Sequence, residues 1–99
     1  MPTTLTIRPS RAKGKRLAAV FVTDGKRKTV NFGAEGGSTF LEHKDPKIKA
    51  DWIARHKVRE DWTVPDNAGS LSRHLLWGPS TKLSENVKAF AKKFNLQVK

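Results

Sequence analysis

Three histidines, His43, His56 and His74, are the side chains best suited to proton transfer or metal binding in this chain. They lie 13 and 18 residues apart. No pair therefore has the i, i+4 spacing that sets two imidazoles on one helical face as a metal clamp. The chain has no cysteine, which removes thiolate-held zinc, thiol catalysis and disulfides. A mixed metal site of His43, His56 and Asp61 is conceivable. A small hairpin–helix nuclease would use His56, Glu60 and Asp61 around a metal-bound phosphate, but no ββα-metal signature accompanies them. Ser70 and Ser72 lie near His74, yet neither stands in a GxSxG elbow that would expose a serine nucleophile. The glycines of GAEGGST (33–39) form neither a GxxxxGK[ST] nor a GxGxxG phosphate loop. The expectation is no catalytic residue, no metal ligand and no cofactor.

Positive charge is what the chain has in quantity. Twenty Lys and Arg face nine Asp and Glu among 99 residues, a net charge of +11. Residues 1–33 hold eight of the basic groups and one acid, Asp24; residues 34–68 are nearly neutral; residues 69–99 hold six basic groups and one acid. Cationic ends around a neutral middle suit a polyanion, either a nucleic acid, DNA in the first place, or an acidic protein surface. The binding candidates are Arg8, Arg11, Lys13, Lys15 and Arg16 on the Gly-containing stretch before the hairpin, and Lys26, Arg27 and Lys28 at its tip. Arg55, Arg59 and Arg73 add a cluster further along. Such groups contact phosphates without reading bases.

The elements that must carry these residues are legible from periodicity. Leu5 and Ile7 alternate with Thr4, Thr6 and Arg8, the period-2 signature of a half-buried strand, and Pro9 ends it. LAAVFVT (17–23) and RKTVNF (27–32) flank Asp24-Gly25, the pair a type I′ turn favours. That turn pairs Phe21 with Lys28, Ala19 with Val30 and Leu17 with Phe32. One face then carries Leu17, Ala19, Phe21, Val30 and Phe32, and a lone hairpin needs a cover for it. Phe40 and Leu41 suit a short strand or a plug into the core.

Helices supply the cover. Asp45-Pro46 starts one, with Ile48, Trp52, Ile53 and His56 on a single face, and it runs to about Lys57 or as far as Asp61. The predicted ion pairs Arg55–Glu60 and Lys57–Asp61 belong to a solvated face. Ser70 is the expected cap of a short helix holding Leu71, Leu75 and Leu76. Thr81 or Ser80 is the expected cap of the last helix, whose stripe is Leu83, Val87, Phe90, Ala91 and Phe94. Leu96 and Val98 suit a final short strand after Asn95. Trp52 is expected in the core, Trp62 and Trp77 at a packed junction, and His43 and His74 at the surface.

RHKVREDW (55–62), NAGSLSRHLLWG (67–78) and TKLSENVKAFAKKF (81–94) together resemble a family of small, basic, uncharacterised proteins. Its members are encoded by large DNA viruses of algae and protists, with relatives in phages. The resemblance implies a viral or phage origin and brings no catalytic residue with it.

The reading is one α+β domain over residues 1–99: an N-terminal antiparallel hairpin or meander (1–33, the basic part) packed against two or three C-terminal helices (45–94). The first function is nucleic-acid binding without sequence specificity. A minor virion protein that binds an acidic partner surface is the alternative, and a metal-dependent nuclease a distant third. No apolar run is long enough to span a membrane. MPTTLTIRPSR lacks the apolar core of a secretory signal, so an intracellular setting, host cell or virion, is expected.

Overall fold

The computed structural model describes residues 3–99. Three antiparallel strands lead the chain: β1 (Thr3–Pro9), β2 (Lys15–Thr23) and β3 (Lys26–Ala34). Asp24 and Gly25 both take positive φ, 52° and 78°, as a type I′ turn requires. The turn sets the register, with Phe21 opposite Lys28, Ala19 opposite Val30 and Leu17 opposite Phe32. A last strand, β4 (Leu96–Val98), returns to lie parallel to β1, giving the sheet order β3-β2-β1-β4. The observed fold is α+β, with helices following the sheet in sequence.

The inner face of the sheet is apolar. Leu5, Ala19, Phe21 and Phe32 are buried there, flanked by Ile7, Leu17 and Val30. Helix α4 (Leu83–Phe94) covers it with Val87, Phe90 and Ala91, the stripe expected from its spacing. The rest of the cover comes from α3 (Ala68–Leu71), which runs into a π-helical turn at Ser72–Leu76 and delivers Leu71, Leu75, Leu76 and Trp77. Gly33 makes this approach possible. Its φ is +80°, and a Cβ there would sit 2.9 Å from Leu76 Cδ1.

Several local features differ from expectation, each for a readable reason. Phe40 is buried but lies in a one-turn helix, α1 (Phe40–His43), because Thr39 and Glu42 close a capping box around it. Helix α2 (Pro46–His56) is capped by Asp45 as expected and ends at His56. It buries no residue, and Ile48 on its apolar face is 43% exposed. The π-helical turn and α4 have already filled the sheet's inner face, so α2 packs at the periphery and Trp52 is half-buried rather than core. Asn67, not Ser70, caps α3, accepting the Ser70 N–H at 2.7 Å, while Ser70 itself is fully buried. Helix α4 starts after Lys82 with no side-chain cap; Ser80 Oγ instead takes the Lys82 N–H at 3.0 Å. Asn95 ends α4 in the left-handed region, φ 56°, and turns the chain into β4.

Asn86 joins the two covering segments. It is completely buried on α4, donates to the carbonyls of Leu75 (2.9 Å) and Ser80 (2.8 Å), and accepts from Ser80 N–H (2.8 Å). Gly78 packs against it: a Cβ there would lie 2.2 Å from the His74 carbonyl and 2.8 Å from Asn86 Cγ. A Gly78→Ala variant is expected to lose about 3 kcal/mol, because the clash is partly with backbone that cannot give way. Asn86→Ala is expected to lose a similar amount, about 2–4 kcal/mol, by stranding buried backbone groups. Urea denaturation of both, beside an exposed Ser84→Ala control expected to change by less than about 0.5 kcal/mol, checks this.

Candidate functional site

The outer face of the sheet follows from the register. Since β-strand side chains alternate, the rows inward of Leu5, Ile7 and Pro9 leave three outward rows: Thr4–Val22–Arg27, Thr6–Val20–Thr29 and Arg8–Ala18–Asn31. Gln97 of β4 joins them beside Thr4. The core cluster draws only on the inward rows, so the helices gather on the other side. The outward rows hold two arginines, three threonines, two amides and three apolar residues, of which Ala18 and Val20 are 1% and 4% exposed, and no carboxylate. Ser10 Oγ donates to Asn31 Oδ1 at 2.6 Å across β2, which ties the basic loop to this face. Arg8 is half-buried, and its Nε is shielded with no hydrogen-bond partner among the described residues.

Eight of the other cations named from sequence fall into four pairs. Arg11 and Lys13 are exposed on the β1–β2 loop, next to Arg8. Lys26 and Arg27 are exposed at the hairpin tip, the far end of a nine-residue strand and therefore about 25–30 Å away. Arg16 and Lys28 are engaged. Arg16 grips Glu42 with two bonds of 2.6 and 2.9 Å and so fastens α1 to the sheet, and Lys28 pairs with Asp66 at 2.9 Å. Arg16's guanidinium holds the Glu42 carboxyl below its ordinary value, and Lys28 does the same to Asp66. Arg55 and Arg59 are exposed at the end of α2 and just beyond it. The predicted pairs Arg55–Glu60 and Lys57–Asp61 are not among the ion pairs of the described residues.

Arg73 is engaged within the helical layer. Its Nη1 donates to the Trp77 carbonyl at 2.7 Å and its guanidinium lies 5.5 Å from the Trp62 ring centre. Lys49, which no motif or spacing singles out, does the equivalent for the next carbonyl, bonding Gly78 O at 2.6 Å over the Phe40 ring. Burial lowers the pKa of both, and Arg73's charge adds to the effect at Lys49. These two cations satisfy carbonyls at the end of the π-helical turn that lack a helical partner.

The three tryptophans form one stack. Trp52 lies parallel to Trp77 at 4.9 Å and to Trp62 at 6.1 Å, and His56 stacks on Trp52 at 4.1 Å while its Nδ1 bonds Trp52 O at 2.8 Å. The junction expected at Trp62 and Trp77 is therefore present, with Trp52 as its middle. The acids near His56 are turned to local partners: Glu60 accepts the Trp62 indole N–H at 3.0 Å, and Asp61 caps Thr63. Among the described residues no group of three or more His, Asp or Glu is placed to hold a metal ion. Beside the stack lies a cleft of about 590 Å³, reached by Lys15, Arg55 and His56.

Residues 5–56 match a protein family described as a family of unknown function, DUF5754. The chain belongs to this family. An uncharacterised protein, L851, of Acanthamoeba polyphaga mimivirus is 34% identical over 80 residues, covering 74% of this chain and 80% of the relative. No solved structure matches. The viral relative is in keeping with the viral origin implied by the resemblance. The family match runs from β1 to the end of α2, and most of the C-terminal block pattern falls outside it. It contains every basic residue of β1, β2 and β3 together with Arg55, and stops short of Arg59 and Arg73.

The remaining histidines are not the surface residues expected. His43 is half-buried, accepts the Asp45 N–H at Nδ1 (3.0 Å) and lies 5.3 Å from the Trp77 ring. His74 packs 5.6 Å from Phe90 and 5.5 Å from Phe94, with Nε2 on the Trp62 carbonyl at 3.2 Å. Burial lowers its pKa, the Trp62 carbonyl opposes that, and the nearby charges of Arg73 and Lys93 add to the lowering. A histidine harder to protonate when folded makes the unfolded chain the better proton acceptor. Stability is then fully present above the ordinary histidine pKa of about 6.5 and falls as the pH drops below it. The lowered carboxylates Glu42, Asp61 and Asp66 lose their contributions only at more acid pH. Urea denaturation between pH 7 and 5 is expected to show a declining midpoint, and His74→Gln, which keeps a donor for Trp62 O, is expected to flatten the decline.

Proposed function

We propose that the protein binds the sugar–phosphate backbone of nucleic acid, DNA in the first place, on the outer face of its sheet, the side away from the helices. The observation that carries this reading is the composition of that face. Arg8 and Arg27 stand among hydroxyls and amides with no carboxylate to compete for them. Arg11 and Lys13 extend the face at one end; Lys26, opposite Thr23 in an inward row, stands at the hairpin tip but not on this face. Hydroxyl, amide and guanidinium groups are the ones that hold phosphate and sugar oxygens in register. The outward rows contain no aromatic ring, so base stacking plays no part in binding there and sequence selectivity is not expected. Residues 1–33 carry eight basic groups against Asp24 alone, which gives long-range attraction to a polyanion.

A second reading has its own observation. Lys88, Lys92 and Lys93 are exposed on α4, in the layer opposite the sheet. Cations on both layers suit a component packed among acidic surfaces, such as a minor virion protein.

Binding to random-sequence duplex DNA, followed by fluorescence anisotropy, separates the two. Six phosphate contacts predict a fall in affinity on the order of 10³-fold between about 50 and 200 mM salt. Arg8→Ala/Arg27→Ala is expected to lower the salt slope by about two, one for each phosphate that the variant no longer neutralises. Lys88→Ala/Lys92→Ala is expected to leave it unchanged. No affinity at low salt would sink the nucleic-acid reading, and association with purified particles despite that result would support the second.

A further inference from the structure

The cleft beside the tryptophan stack lies at the end of the sheet where β2 begins and β3 finishes, and the outer-face reading gives it no role. Two cations reach it from separate elements, Lys15 from β2 and Arg55 from the last turn of α2. Both side chains are exposed, and neither belongs to the ion pairs of Arg16 and Lys28. Trp52 is the half-buried aromatic ring that reaches the cleft, by its edge, since His56 and Trp77 stack against it; Trp77 and Leu76 form an apolar floor that is 7% and 1% exposed. Glu60 supplies a carboxylate that the Trp62 indole N–H holds in place at 3.0 Å. Gly69 allows that carboxylate its position: a Cβ at residue 69 would lie 2.6 Å from Glu60 Oε1.

Size and lining together narrow the ligand. A volume of about 590 Å³ falls within the range of small-molecule sites, roughly 300–1,000 Å³. Water occupies about 30 Å³ per molecule in the liquid, so a bare oxyanion would leave most of the cleft unfilled. The fitting ligand combines an anionic group for Lys15 and Arg55, a flat apolar body for Trp52, and an N–H edge for Glu60. A nucleotide with an amino-bearing base has all three. We infer that the cleft binds a free nucleotide, its phosphates toward Lys15 and Arg55, its base against the edge of Trp52 and its amino group toward Glu60. Charge-assisted hydrogen bonds hold the phosphates, and the aromatic surface contributes because it is already ordered by its own stack.

The chain has three tryptophans, so a ¹⁵N spectrum of the intact protein carries three indole signals, assignable by single Trp→Phe variants. Titration with ATP is expected to shift the Trp52 and Trp77 signals with submillimolar affinity. Lys15→Ala and Arg55→Ala are each expected to weaken ATP about tenfold or more, the effect of removing one charged hydrogen bond. Both residues are exposed, so far-ultraviolet circular dichroism is expected to remain that of the parent protein. Glu60→Gln is expected to reduce the preference for ATP over inosine triphosphate, whose ring bears a carbonyl in place of the amino group. Tripolyphosphate binding as tightly as ATP would reduce the cleft to an anion site and overturn the inference. So would ATP binding that ignores Lys15 and Arg55, or no binding at millimolar ATP. Arg8→Ala/Arg27→Ala is expected to lose DNA affinity and keep ATP affinity, so failure of the outer-face reading is distinguishable from failure of this one.

Discussion

The side-chain amide of Asn86 sits where the two covering segments of this fold meet. Fully buried, it satisfies the carbonyls of Leu75 and Ser80 and the N–H of Ser80. These groups lie in the π-helical turn and the loop leading to α4, where regular helical bonding breaks down. Without a partner each would be a buried polar group with nothing to replace its water. The amide therefore allows an irregular segment to lie in the interior, and that segment brings Leu75, Leu76 and Trp77 onto the sheet. Lys49 and Arg73 complete the arrangement by taking the carbonyls of Gly78 and Trp77. Gly78, with no room for a side chain, keeps the whole junction close-packed.

This arrangement divides the protein's positive charge into two kinds. Some cations are consumed by the fold: Arg73 and Lys49 on carbonyls, Arg16 and Lys28 on carboxylates in the segments that follow the sheet. The rest of the sheet's basic groups remain on its outer face, its two ends and the rim of the cleft. Because the acids of residues 34–68 draw Arg16 and Lys28 toward the helices, the outward rows keep charge that no carboxylate of their own offsets. The uneven charge along the sequence thereby leaves exposed cations on both layers, those of the first third on the sheet and Lys88, Lys92 and Lys93 on α4. The family match covers the three leading strands and α2, the part that bears the outer face and one wall of the cleft.

Legibility in the sequence tracks how local each cause is. The hairpin register is readable because one residue pair, Asp24-Gly25, dictates the turn and the turn dictates every partner. The stripe of α4 and the cap of α2 are readable for the same reason. The alternation of β1 likewise places Arg8 on the polar side. The π-helical turn is not readable, since it depends on Asn86 and Gly78 contacts that no periodicity encodes. Nor is the peripheral position of α2: Ile48, Trp52, Ile53 and His56 have the spacing of a core face, but the inner surface they would cover is occupied by later residues. Arg16–Glu42 and Lys28–Asp66 span 26 and 38 positions and are invisible in the sequence for that reason. The capping box at Thr39 and Glu42 is present in the residues but obscured by the glycines before it.

The parallel pairing of β4 with β1 sets Thr3 beside Leu96 and Leu5 beside Val98, with the Lys99 N–H reaching Leu5 O at 2.8 Å. The two extremities of the described chain are thus neighbours at one edge of the sheet, and almost the whole polypeptide is a loop between them. Forming that contact means closing a loop of roughly ninety residues, an entropic cost that grows only slowly with length but makes this pairing the least local in the molecule. Until it forms, β1 presents an unpaired row of backbone donors and acceptors, the kind of edge through which chains associate wrongly. Three residues at the far end of the chain thus act as the guard of its first strand.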